Sequence, residues 1–477
     1  MKRNRLLINL VTLLLATMTA GRSHAASKKP PPATGNGWSG VSAISPVNQP
    51  DPTRGSQLND VAVNASGLTI AAWDQFTYNT GGPYTIGAAV QSGGRWGAPF
   101  TISGTTGFSM APKVAVGADG TMAVSWTYQD SVLRQQTMQV AVKPAAASTW
   151  TITDLATGPI GGVSVTLFVP VGVDANGNVT AAWTLWNGTR HVVQTKTLPK
   201  GGKWSEPTTL SGTADGLYID LAVNAEGNAA VVYSLSPYSG YITGTSAQFV
   251  SRSGPDGGWT PPVTISETIP SSIGYVTIPQ VALDANGLAT VIYFGYGVEG
   301  TRQLAPEPCA QNPCWTPPQT VLQAANRVSS YLSPDLAVDS DGNAVVAVSI
   351  FDATIGVDRA SVWVALGTPD GAWAPQQRIT DPTVPVDAYA TRVALSPDGA
   401  LAMVGWIDHY HGAVQVSKLI SKLSGGLWGA ANTIGRGTAW SSFQEVLGLD
   451  AGSGTVARAI WKNAKTGTQT MAASYGK

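Results

Sequence analysis

Hydrophobic and polar positions along this chain repeat one motif. A short apolar run, a turn carrying glycine and a second apolar run recur eight times, usually ending on an aromatic residue. The copies run Val61 to Trp73, Val114 to Trp126, Val171 to Trp183, Leu221 to Tyr233, Val281 to Tyr293, Leu336 to Val348, Val393 to Trp406 and, more loosely, Leu447 to Trp461. Nearly every position in the runs is apolar, which predicts strands buried on both faces. Asn64, Asp174, Asn224, Asp284 and Asp339 each stand shortly before a glycine: Gly67, Gly177, Gly227, Gly287 and Gly342. Such side chains fold back onto the backbone two residues on, and glycine takes the positive φ of the turn, so each copy predicts a tight hairpin.

A second motif alternates with the first: a tryptophan, a polar or proline-bearing stretch, then Ile or Leu. Its tryptophans are Trp38, Trp96, Trp150, Trp204, Trp259, Trp315, Trp373 and Trp428, spaced at intervals of about 55 residues. Pro99, Pro207, Pro262, Pro318 and Pro375 fall inside these stretches; proline lacks the ladder donor, so the strand belongs at a sheet edge. One more strand, such as Ile86–Ser92 or Gln136–Lys143, lies between each hairpin and the next tryptophan. Four strands per repeat make the antiparallel blade of a propeller. The Trp38 strand precedes any hairpin, whereas the last hairpin is followed by a third strand near Met471 and no outer one. The expected fold is therefore all-β: an eight-bladed β-propeller over residues 38–477, closed where the strand around Trp38 completes the last blade. Closure leaves no free sheet edge at the chain ends.

The hairpins Leu336-Ala-Val-Asp-Ser-Asp-Gly-Asn343 and Val171-Gly-Val-Asp-Ala-Asn-Gly-Asn178 resemble the repeats of exported bacterial propellers grouped with the sialidase-like and NHL-type superfamilies. The resemblance implies the fold; activity must be argued from a site. Ser340-Asp341-Gly342 departs from the sialidase Asp-box in spacing and lacks its closing tryptophan.

Composition agrees with an exported β protein. Charged residues make up 12% of the chain, and glycines number 54. Lys2, Arg3 and Arg5 followed by the apolar stretch Leu6–Ala20, with Ser23-His24-Ala25 after it, predict a signal peptide over residues 1–25 and a secreted or periplasmic protein. Residues 26–37 read as a flexible Pro-rich leader. The remainder is slightly acidic, which speaks against nucleic acid as a partner, and no later segment suits a membrane helix. Cys309 and Cys314 are the only cysteines; in an oxidising compartment they predict a local disulfide.

In a propeller the hairpin turns share one end of the blades with the third-to-outer turns. The latter are short here, as in Gly93-Gly94 and Gly201-Gly202. The opposite end collects longer loops rich in aromatic and polar residues, where scaffolds carry function. Candidate ligand-binding residues there are Asp74, Tyr78, Tyr128, Trp186, Arg190, Tyr241, Tyr296, Arg302, Asp352, Asp408, His409, Tyr410 and Trp440. Rings beside Asp and Arg suit a carbohydrate, whose apolar face stacks while its hydroxyls are bonded. His409 and His411 lie on the same side of an extended segment, but with only two imidazoles no metal is assigned. No cofactor is expected. The reading favoured is a monomeric binding protein for a glycan or a protein partner. A glycoside hydrolase or lyase using acids such as Asp74, Asp130, Glu299, Asp352 or Glu445 is the first alternative, and an envelope scaffold the second.

Overall fold

The computed structural model describes residues 37–476 other than 39–40, 46–58, 77–82, 161–167, 213, 237–245, 267–276, 296, 307–313, 324–333, 353–358, 385, 409–410, 412, 419–427, 436–446, 454–455 and 464–468. The expected signal peptide, its cleavage site and nearly all of the leader lie outside these residues. Every regular element described is a β-strand. Among the described residues no helix is long and apolar enough to cross a membrane.

The strands form six four-stranded sheets and one nine-stranded sheet. The larger sheet is two such sets joined by a single parallel bridge between Tyr84 and Phe108. Within a set, successive strands pair antiparallel in chain order. The second set, for example, runs Phe108–Val116, Met122–Asp130, Gln135–Lys143 and Thr151–Pro159.

The hairpins follow from the turn chemistry. Asn64 Oδ1 accepts the amide of Leu68, and Asp174 Oδ1 that of Asn178. Asn224, Asp284 and Asp339 likewise hold the amides of Asn228, Leu288 and Asn343. Gly177 and Gly342 carry φ of 88° and 89°, a conformation costly for any residue with a Cβ.

The core lies between sets. One cluster joins Ile70, Ala72 and Ile86 of the first set to Val124 and Trp126 of the second. Another joins Met138 and Val140 to Val179 and Trp183 of the third. The pattern continues along the chain, and a further cluster packs Ile460 and Ala472 of the last set against Val61, Ala71 and Trp73 of the first. The aromatics ending the second strands, including Trp73, Trp126, Trp183, Tyr233, Tyr293, Trp406 and Trp461, are fully buried in these interfaces. The half-buried tryptophans that open the outer strands flank them: Trp150 packs on the first of these clusters and Trp204 on the second.

The N-terminal strand Ser42–Ala43 pairs with Gln469–Tyr475, Ser42 opposite Ala472 and Ala43 opposite Met471. Trp38 bridges Tyr475, with ring centroids 5.7 Å apart. Ser45 Oγ accepts the amide of Thr470 at 2.7 Å. Ser103, Ser211 and Ser266 bond the third strands of their own sets in the same way, at 2.8 to 3.0 Å. The strand at the start of the chain thus makes, within the last set, the contacts of an outer strand.

Candidate functional site: a polar belt where the inner strands meet

In six sets a polar residue directly precedes the apolar run of the inner strand: Asp60, Lys113, Asp220, Gln280, Asp335 and Arg392. They occupy one register, opposite Ala72, Ser125, Val232, Ile292, Ala347 and Gly405 of the adjoining strands. An innermost strand has its second backbone edge unpaired by its own sheet, and four of these side chains serve that edge in the next set. Asp60 accepts the amide of Val114 at 3.0 Å, Asp220 that of Val281 at 3.0 Å and Asp335 that of Val393 at 2.7 Å. Gln280 Nε2 donates to the carbonyl of Pro334 at 2.8 Å. Asp450 accepts the amide of Val63 at 2.8 Å, which ties the last set to the first.

These groups also feel one another across the molecule. Asp220 and Asp335 are both stabilised as anions by Lys113, and Asp335 further by Arg392. Asp335 and Asp450 are both disfavoured as anions by Asp60. Such coupling means that these side chains, from sets far apart in the chain, lie near one another. Burial is the leading cause of their shifts. It pushes Asp220 and Asp450 up to about 6, and it raises Asp335 as well.

Backbone bulges sit just above the belt. Ala111, Tyr218, Ile278 and Ala390 have φ of 59°, 43°, 49° and 51°, each at a shift of register before Lys113, Asp220, Gln280 or Arg392. A bulge re-aims the residues beside it and costs a non-glycine residue some strain. Asp74 braces one of them. It is 3% exposed, and its carboxylate accepts the amide of Ala111 at 2.9 Å.

Farther out, at the end opposite the hairpins, stand the aromatic and imidazole groups. Trp186 leans on His191, ring centroids 4.9 Å apart, and the amide of His191 donates to Asp215 at 2.5 Å. The Arg190 amide is held by Asn187. Tyr84 and Phe108 meet at 5.3 Å, and half-buried Tyr128 pairs opposite Ser109. Lys113 Nζ lies 5.2 Å from the ring centre of Phe168. In the seventh set Asp408, only 1% exposed, places Oδ2 at 2.5 Å from His411 Nδ1 while Oδ1 accepts the amide of Asp387.

Of the residues singled out from sequence, Tyr128, Trp186, Arg190 and Asp408 are found at this end, and Asp74 is committed to the bulge. Arg302 is a correction. The loop expected to carry it is only Gly295–Gly297, whose ends bond each other, so Val298–Arg302 is already strand. Arg302 comes to lie at the hairpin end, buried against Asp284 at 2.5 Å. Glu299 belongs to the same strand and accepts a hydrogen bond from Thr320. Asp130 caps the amides of Val132 and Leu133. Tyr78, Tyr241, Tyr296, His409, Tyr410, Trp440, Glu445, Cys309 and the side chain of Asp352 lie outside the described residues. Among those described, no three acidic, His or Cys side chains are placed to hold a metal ion. The belt itself was missed by the sequence reading, although a polar residue before six of the eight apolar runs is its visible signal.

No protein-family model matches the chain, and no curated protein sequence does. Among solved structures it is similar to the GH93 α-L-arabinofuranosidase of Fusarium graminearum in complex with arabinobiose, at 12% identity over 92% of this chain and 98% of that one, with a TM-score of 0.43. It is also similar to the polysaccharide lyase Uly1, at 10% identity over 95% and 94% with a TM-score of 0.47. A third likeness is to the β-propeller domain of the Trilobed protease from Pyrococcus furiosus, at 10% identity over 88% and 95% with a TM-score of 0.38. Likenesses this distant say nothing of what the chain binds or does.

Proposed function

We propose that the chain is an eight-bladed β-propeller, closed through Ser42–Ala43, that binds carbohydrate at the end of the molecule opposite its hairpins. The closed ring is supported by the bond from Thr470 to Ser45, by Trp38 packing on the core of the last two sets, and by the Asp450 clasp onto Val63. The observation that carries the functional reading is the contrast between the two ends. The hairpin end is filled by self-bonded turns, whereas Trp186, Tyr128 and the Tyr84–Phe108 pair stand toward the other end of the strands, beyond the level of the belt of Asp60, Lys113, Asp220, Gln280, Asp335 and Arg392. Aromatic faces at one end of a set of donors and acceptors of both charges are what a polyhydroxylated ligand needs. The chain acts after export and cleavage of residues 1–25, as a monomer, with Cys309 and Cys314 joined.

Glycan-array screening followed by titration calorimetry tests this reading. Trp186→Ala is expected to weaken the best array ligand at least tenfold, about 1.4 kcal/mol, with unfolding unchanged. Silence of the wild-type protein across the array would remove carbohydrate from the proposal.

A second reading, a glycoside hydrolase or lyase, is favoured by one observation: burial holds Asp220 and Asp450 protonated up to about pH 6, the state a general acid requires. Product release from polysaccharides that disappears in Asp220→Asn or Asp450→Asn would promote it over simple binding.

A further inference from the structure

One cation of the belt is held in place without being bonded. Asp60, Asp220, Asp335 and Asp450 each give Oδ2 to an inner-strand amide of another set. Gln280 donates to the carbonyl of Pro334, and Arg392 Nη1 to that of Thr391. Among the described residues Lys113 Nζ makes neither a hydrogen bond nor an ion pair; it stands 5.2 Å from the ring centre of Phe168, which is itself 40% exposed. The negative face of the ring attracts the ammonium, and its three N–H donors are left for a ligand.

Lys113 also attracts the carboxylates of Asp220 and Asp335, which come from the fourth and sixth sets. Asp60, Lys113, Asp220, Gln280, Asp335, Arg392 and Asp450 are all half-buried, so solvent reaches them, yet burial raises Asp220, Asp335 and Asp450. Both facts hold for side chains that line a narrow wet space enclosed by protein. Opposite charges that attract across such a space without touching leave a place between them for a polar group. A hydroxyl suits that place, because it accepts from the ammonium and donates to a carboxylate. Net charge narrows the choice further. Asp60, Asp220, Asp335 and Asp450 stand against only Lys113 and Arg392, so a ligand with its own negative charge meets repulsion.

We propose that Lys113 sets the specificity of the carbohydrate site: its ammonium and the carboxylates of Asp220 and Asp335 receive the hydroxyls of one uncharged sugar residue beside Phe168, and the belt turns acidic sugars away. The inference rests on the carbohydrate-binding reading given above. The experiment titrates the whole chain, near neutral pH, with the best neutral oligosaccharide of the array and with its twin in which one primary alcohol is oxidised to a carboxylate. The acidic twin should bind at least tenfold more weakly. Lys113→Met, which keeps the stem on Phe168, should weaken the neutral ligand at least tenfold with melting unchanged, and Lys113→Arg should restore most of the affinity. Asp335→Asn keeps an acceptor for Val393 and should narrow the gap between the twins. Acidification below about 6, where Asp220 and Asp450 hold their protons, should narrow it as well. Equal binding of the twins near neutral pH, or a neutral ligand indifferent to Lys113→Met, would overturn this inference and leave carbohydrate binding standing. Failure of every glycan to bind would overturn both.

Discussion

Single side chains in this molecule act mostly on the backbone of a neighbouring strand or turn. Arg302 and Asp284 show what happens when such a pair is also buried: the guanidinium bonds the carboxylate, the carbonyl of Leu288 and the hydroxyl of Thr290. Removing one charge strands the other in a site that water does not reach, so Asp284→Ala is expected to cost about 3–5 kcal/mol in chemical denaturation. The belt carboxylates carry the opposite sign of electrostatic consequence. An unfolded aspartate releases its proton near pH 4, about 3.9, whereas folded Asp220 and Asp450 hold theirs up to about 6. Between those values the unfolded chain gains charge first, and the folded state loses stability as pH rises. Stability should therefore decline from pH 4 to 6 and level off above it. Asp220→Asn combined with Asp450→Asn keeps an acceptor oxygen for Val281 and Val63 but removes the titration. It should flatten that decline by roughly 1–2 kcal/mol per site after screening by solvent, as read from unfolding curves across this range.

Strands and turns were the most legible level. A run of apolar residues, an Asx turn and a glycine of positive φ lie within a few residues of one another, so their physics is complete inside a short window of sequence. Gly177 and Gly342 are needed for that reason, and the hairpins came out where the pattern put them. Arg302 shows where such reading stops. Polar residues after a second strand look like a loop, but Gly295 and Gly297 turn the chain at once, and a polar side chain can be buried on a strand when the adjacent turn supplies its partner. The serines that follow the outer strands are a subtler element-scale device, since each accepts the amide of a third strand that its own short partner leaves unpaired. Ser103→Ala, Ser211→Ala and Ser266→Ala should each lower stability by about 1 kcal/mol and add nearly independently in the triple variant. Urea unfolding of the singles and the triple checks both statements.

At the scale of the whole molecule, what matters is how the ends of the chain meet. Trp38 packs against the core shared by the last two sets, and its strand covers the edge of Gln469–Tyr475. Removing residues 1–46 would expose that edge and the apolar flank of the last set. The shortened chain is expected to melt at least 2 °C lower, a shift of about 2 kcal/mol for a domain of this size, and to associate as its concentration rises. Calorimetry and sedimentation velocity report the two effects separately, and unchanged behaviour in both would argue against closure through this strand.

The order of strands, the hairpin turns and the pairing of strand types into repeated sets follow from the sequence alone, because each is decided by periodicity and turn chemistry among near neighbours. The belt could not be read in that way. Asp60, Lys113, Asp220, Gln280, Asp335, Arg392 and Asp450 are scattered along the chain, and what each of these carboxylates bonds is a backbone amide tens to hundreds of positions away. Burial and through-space charge belong to the assembled fold, and no local pattern encodes them.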